Sequence, residues 1–266
     1  MTSPTAPADF STGTMAALRR ASPPLWHAGL ACLAVFVVLL GAAAIDQRQF
    51  NGINLWIKPA KFHLSLGVLL LTQCFALMML PEAVRHGRMA RTLTWTMILA
   101  TVFELAYITF RAARGEASHF NQTSQLAGLL YSAMGLGAAW MMLVTIWIGI
   151  QVLRKAPGSG LAQATGAGFI LSGILTLAVG FTLGGMGSHW IGGDQTDATG
   201  LPVMGWSTTG GDLRVAHFFA LHLMQALPLA AWTGGNRAAI AAAAALLAVA
   251  AFTFVQALDG LPFIAL

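Results

Sequence analysis

Five of the seven histidines, His63, His119, His189, His217 and His222, fall near matching ends of apolar segments or in the loops that join those ends. Imidazole titrates close to neutral pH and is the commonest metal ligand. Histidines from separate segments at one level therefore point to a metal centre or a proton relay. Three protein ligands and one open position would let Zn or Fe activate a water, and Cu suits the same imidazoles. His217 and His222 are five residues apart, so on one helix they diverge by roughly 140° and cannot chelate a single ion as an i,i+4 pair would. Glu104, Tyr107, Arg111 and Arg114 recur at spacings of three, four and three, which makes one continuous helical face. On that face Glu104 and Tyr107 are the candidates for acid–base chemistry.

Cations gather at the same level. Lys58 and Lys61 flank Pro59 at the start of one apolar segment, a position where the missing proline N–H costs nothing. Arg214 opens another segment. Lys61, Arg111 and Arg214 are the expected contacts for a cofactor or substrate anion: a carboxylate, a phosphate head group or heme propionates. Asp212 precedes Arg214 at a natural N-cap position. Cys32 and Cys74 lie inside apolar runs and make no disulfide framework.

The elements that must carry these groups are membrane helices. The chain has 266 residues, 57% of them hydrophobic and 9% charged, whereas a water-facing domain carries about 25% charged residues. Seven stretches reach the ~20 apolar residues needed to cross a bilayer: 25–45, 61–81, 92–112, 124–153, 161–184, 214–233 and 238–258. The fold expected is an all-α bundle of about seven transmembrane helices. Residues 1–24 read as a disordered cytoplasmic tail, residues 25–266 as a single transmembrane domain, and residues 185–213 as an ordered loop over one mouth. Gly166, Gly173 and Gly180, seven apart, and Gly128, Ser132, Gly135 and Ala139 on the preceding helix predict a tight seam between the two.

Charge sets the sidedness. One set of helix ends carries eight basic residues against Asp9 and Glu82, and the other carries six basic against seven acidic. The positive-inside rule puts the first set in the cytoplasm, the N-terminus with it and the C-terminus outside. The histidines and the long loops then face outward, as in a bacterial inner membrane protein with a periplasmic-facing site. Basic residues are dispersed among apolar runs rather than clustered in a stripe, which excludes a nucleic-acid partner.

Three function classes fit this pattern. The first is a metal-dependent membrane hydrolase or oxidoreductase acting on a small anionic or lipid-like substrate. The second is a cytochrome b-like redox protein, with His63 and either His217 or His222 ligating heme b. The third is a proton-coupled transporter centred on Glu104, although the cytoplasmic halves of the segments offer few groups to continue a proton path. The phosphate-binding, nucleophile-elbow, heme-attachment and zinc-helix signatures are absent from the sequence.

Overall fold

The computed structural model describes residues 12–156 and 158–266. Its helices are α1 (Thr12–Ala21), α2 (Pro23–Ile45), α3 (Ile57–Met78), α4 (Glu82–Arg85), α5 (Arg88–Ala113), α6 (Gln125–Lys155), α7 (Gly160–Met186) and α8 (Leu213–Leu258). Two short antiparallel pairs lie in the loops: β1 (Gln49–Phe50) with β2 (Ile53–Asn54), and β3 (Trp190–Ile191) with β4 (Gly211–Asp212). Among the described residues six helices are long and apolar enough to cross a membrane, as expected of a helical membrane protein. Their boundaries follow local chemistry. Ser124 and Ser159 cap α6 and α7 by accepting from the amides of Ala127 and Ala162. Asp212 does the same for α8 through Arg214, and Gly187 closes α7 in the left-handed conformation.

The last helix is too long for a single crossing. Forty-six residues at ~1.5 Å each would extend about 69 Å, more than twice the ~30 Å of hydrocarbon. At Gly235 the backbone leaves the helix, with φ 70° and ψ −167°, a conformation suited to glycine. Leu223, Leu227 and Ala231 before the break share an apolar cluster with Ala239, Ala243 and Leu246 after it. Gly211 abuts the backbone of Ala257. The chain therefore reverses at Gly235, and two arms, 213–234 and 236–258, lie side by side.

The first part of the expected tail, residues 1–11, lies outside the described residues. From residue 12 onward the expectation of a disordered segment gives way to a helix. Ala21 at the end of α1 is fully buried in the main core cluster, and the carbonyl of the adjoining Ser22 faces Cys74 of α3. Amphipathic burial thus holds a segment whose Ser, Thr, Ala and Pro content suggested none. That core joins α2, α3, α5, α6, α7 and α8 through residues such as Leu25, Leu70, Met97, Val144, Phe169 and Met224.

The loops 46–56, 114–124 and 187–212 gather at one end of the bundle, here the cap end, and α1, α4 and Gly235 mark the basal end. Across the cap, Asn51 donates to Asp197 at 3.2 Å and its carbonyl accepts from the Asp197 amide. Arg48 reaches the Ala113 carbonyl at the end of α5, and Trp206 packs edge-on against Phe263.

Candidate functional site

Beneath the cap lies a cavity of about 800 Å³, between α3, α5, α6, α7 and the start of α8. Its polar wall is supplied by Lys58, Lys61, Glu104, His119, His189, Asp197, Arg214 and His217. Its deeper wall is apolar, with Phe62, Leu66, Leu69, Ile108, Met134, Met141, Met142 and Leu177. Concave, largely apolar spaces with a few convergent polar groups are the usual form of small-molecule sites.

Three of the expected cations are committed to holding the cap. Arg214 donates to Asp212 at 2.7 Å, to Asp197 at 2.8 Å and to the Gly205 carbonyl at 2.6 Å, and its guanidinium lies 5.6 Å from the centre of the Trp190 ring. Asp212 is 1% exposed, so this pair is a buried one, completed by a Ser207 amide that donates to the same carboxylate. Lys61 donates to the Met204 carbonyl at 3.1 Å. Arg111 is paired with Glu116 at 2.8 Å and donates to Ala117, which fixes the 114–124 loop; it does not itself line the cavity. Lys58 is different. It lines the same cavity, lies within electrostatic reach of Asp197, Arg214 and Glu104, and has no hydrogen bond or ion pair among the described residues.

Glu104 closes the floor. It is 4% exposed, and its Oε2 is buried without a partner. A Cβ placed on Gly137 of α6 would stand 3.9 Å from its Oε1, so the carboxylate faces the α5–α6 interface at the cavity's base. An unpartnered carboxylate at that depth costs free energy, the condition of a group that awaits something. Tyr107, one turn away, is buried beside Ile108 and Met134 with its hydroxyl unpartnered. It is not part of the cavity lining.

The histidines divide. His119, His189 and His217 line the cavity, whereas His63 and His222 do not. His63 is 6% exposed and its Nδ1 donates to the Pro59 carbonyl at 2.9 Å, turning it into α3's own first turns. His222 lies edge-on to Phe218, with ring centres 4.3 Å apart. The expected convergence of five histidines is thus a convergence of three. Burial, aided by the positive charge of Lys58 and by His189, holds His119 well below the usual imidazole range. His189 is pushed down to about 3 by burial and by the charges of Arg214 and Lys58, against the opposing pull of Asp197. Both are neutral bases at pH 7, and Nε2 of His189 has no partner. Ser118 Oγ and His119 Nδ1 stand 3.1 Å apart.

This donor set does not fit the metal expectation. Among the described residues no three His, Cys, Asp or Glu side chains form a group that could hold a metal ion. For the expected heme pairs, the structure shows that His63 and His222 do not line the cavity that His217 lines. No step through a metal or heme is derived for this site. Lys58 is the residue that the sequence undervalued. Its signal was present in the i,i+3 spacing with Lys61, but nothing in that spacing says which of the two is left free.

Comparison with family models, with curated proteins and with solved structures gives no match. The function must be argued from the site itself.

Proposed function

We propose that the protein is a seven-crossing membrane protein whose cavity opens to the extracytoplasmic face and binds a small anionic, lipid-like molecule. The observation that carries this reading is Lys58: an ammonium group without a hydrogen bond or ion pair among the described residues, lining a cavity whose other cations are consumed by the cap. Lys58 is half-buried and opens onto the cavity, and a partly desolvated ammonium gains most from an opposite charge brought to it, so an anionic ligand group is what completes it. The apolar floor asks for a hydrocarbon portion on the same molecule. This topology is supported by the reversal at Gly235, which divides α8 into two arms of ~33–35 Å, and by the charge asymmetry of the helix ends. An enzymatic extension is favoured by two bare groups at the same cavity, the Glu104 carboxylate and the neutral His189 imidazole, which could move a proton on the bound molecule.

Calorimetric titration of butyl phosphate into the full chain in lipid nanodiscs tests the reading. Wild type should bind. Lys58→Met should weaken binding about ten- to a hundredfold, the range for losing one charge-assisted hydrogen bond. Absence of binding to wild type, or equal binding to Lys58→Met, would overturn it.

A further inference from the structure

The packing between α6 and α7 changes along their length, and the change coincides with the cavity. Toward the basal end the two helices touch backbone to backbone. A Cβ on Gly149 would stand 2.8 Å from the Gly166 carbonyl oxygen, one on Gly166 would stand 2.9 Å from that of Gly149, and Gly173 abuts Ile146. Carrying this antiparallel register toward the cap places Gly180 and Gly184 opposite the stretch 132–139. There the contact is gone: a Cβ on Gly135, Gly180 or Gly184 would meet nothing within 4 Å. Gly135, Gly180 and Gly184 all line the cavity, and so does Phe181, whose side chain is 66% exposed on the flank of the bundle. The cavity wall and the exposed flank of α6 and α7 therefore share residues here, at the depth of the unpartnered Glu104.

We infer that the cleft between the cap-end halves of α6 and α7 is a lateral portal, through which the chain of a single-chained anionic amphiphile extends from the membrane while its head group sits at Lys58. The inference rests on the binding reading above and names its ligand class and route. A cavity of about 800 Å³ takes a head group and the first stretch of one chain, the rest of which lies in the membrane. Route favours the flank. A chain drawn out through the aqueous mouth would lose about fourfold in partition for each methylene wetted, whereas a chain passing between α6 and α7 stays in hydrocarbon throughout. Charge complementarity with Lys58 fixes the head group as an anion, a phosphate or a carboxylate.

The experiment uses the full chain in nanodiscs with dodecyl phosphate and dodecanoate, each carrying a photoreactive group at the chain end. Binding of either identifies the head group, and the position of its cross-links decides the portal. Cross-links should map to residues 128–139 and 176–186, and excess butyl phosphate should suppress them by competing for the head-group position. In Gly135→Leu/Gly180→Leu the ratio of dodecyl to butyl phosphate affinity should fall about tenfold or more. Cross-links confined to the cap loops, or an unchanged affinity ratio together with unchanged labelling, would overturn the portal while leaving the head-group site intact. If butyl phosphate itself does not bind, the binding reading fails first, and the two failures are thereby separate.

Discussion

The basal and cap-end halves of the α6–α7 pair use the same residue type for opposite ends. Gly149, Gly166 and Gly173 let two backbones meet, as small residues do where helices associate in lipid. Gly135, Gly180 and Gly184 meet nothing and leave a gap beside a charged cavity. The sequence pattern is continuous across both halves, but its consequence is not. What separates them is the neighbourhood: at the cap end α6 leans on α5 through Gly137 and Ala100 instead, and the space released is walled by groups that have no partner of their own. The basal half is held by packing. The cap above the other half is held by charge and hydrogen bonds, chiefly those of Arg214 to Asp197, Asp212 and Gly205.

The largest effect should come from breaking that charge network. Arg214→Ala removes three charge-assisted contacts and leaves Asp212 buried and Asp197 unpaired. Losing one partner of a buried pair typically costs ~3–5 kcal/mol. The expected result is a much lower midpoint of thermal unfolding in detergent and new proteolytic cleavage within 187–212. If the cap stays protected in Arg214→Ala, the division between a packed half and an electrostatically held half is wrong.

A pair of glycine substitutions comes next. In Gly149→Ala the new methyl meets the Gly166 carbonyl oxygen and the Phe169 Cβ, both at 2.8 Å, neither of which can swing away. Forcing a methyl into such a contact costs ~1–3 kcal/mol. Gly180→Ala meets no atom, and replacing a mid-helix glycine by alanine gains ~0.5–1 kcal/mol when the space is free. The two variants should thus shift unfolding midpoints in opposite directions. Equal shifts would mean that the halves are packed alike.

Much of this was legible in the sequence. Hydropathy located the six long apolar helices to within a few residues because the bilayer imposes its own length. The site was only half legible. Glu104, His119, His189, His217, Lys61 and Arg214 reach one cavity, but His63 and His222 face elsewhere. The reason is physical: segments apolar on nearly every face carry little moment to fix which side points inward, and a histidine's side is then set by neighbours that the segment does not contain. The pairing of the cations was illegible for a similar reason. The groups that occupy Arg214 and Lys61 are Asp197, Met204 and Gly205, drawn from an irregular loop whose path no periodicity describes.

Acidification should act on the cap alone. With His119 and His189 held below their ordinary range, the native cap binds fewer protons than the unfolded chain once the pH drops under the free imidazole value of about 6.5. A depressed native value means that stability is fully present above pH ~6.5 and declines as the pH falls from there toward the native value, which for His189 is about 3. Each imidazole contributes at most ~1.4 kcal/mol per pH unit in that window. Hydrogen exchange of residues 187–212 should therefore quicken between pH 7 and 5 while that of 160–173 follows only its intrinsic pH trend. Replacing both histidines by Asn should flatten the cap's response. A cap indifferent to pH would show that the two imidazoles are not shielded from water.

The smallest effect on stability sharpens the contrast between two cations of one cavity. Arg214 is fully paired and holds structure, so its loss is costly. Among the described residues Lys58 has no hydrogen bond or ion pair, and a half-buried ammonium without one adds nothing to the fold. Lys58→Met keeps most of the side-chain volume and removes that charge. Its unfolding midpoint should be unchanged or higher, by at most ~1 kcal/mol, with the loss falling on anion binding alone. Sites kept for a ligand commonly cost the empty protein stability in this way. Adding butyl phosphate should then raise the midpoint of wild type, since a ligand that binds only the folded state stabilises it, and should leave that of Lys58→Met where it was. A destabilised Lys58→Met would mean that the lysine already has a structural partner, and that the cavity's polar wall is complete without a ligand.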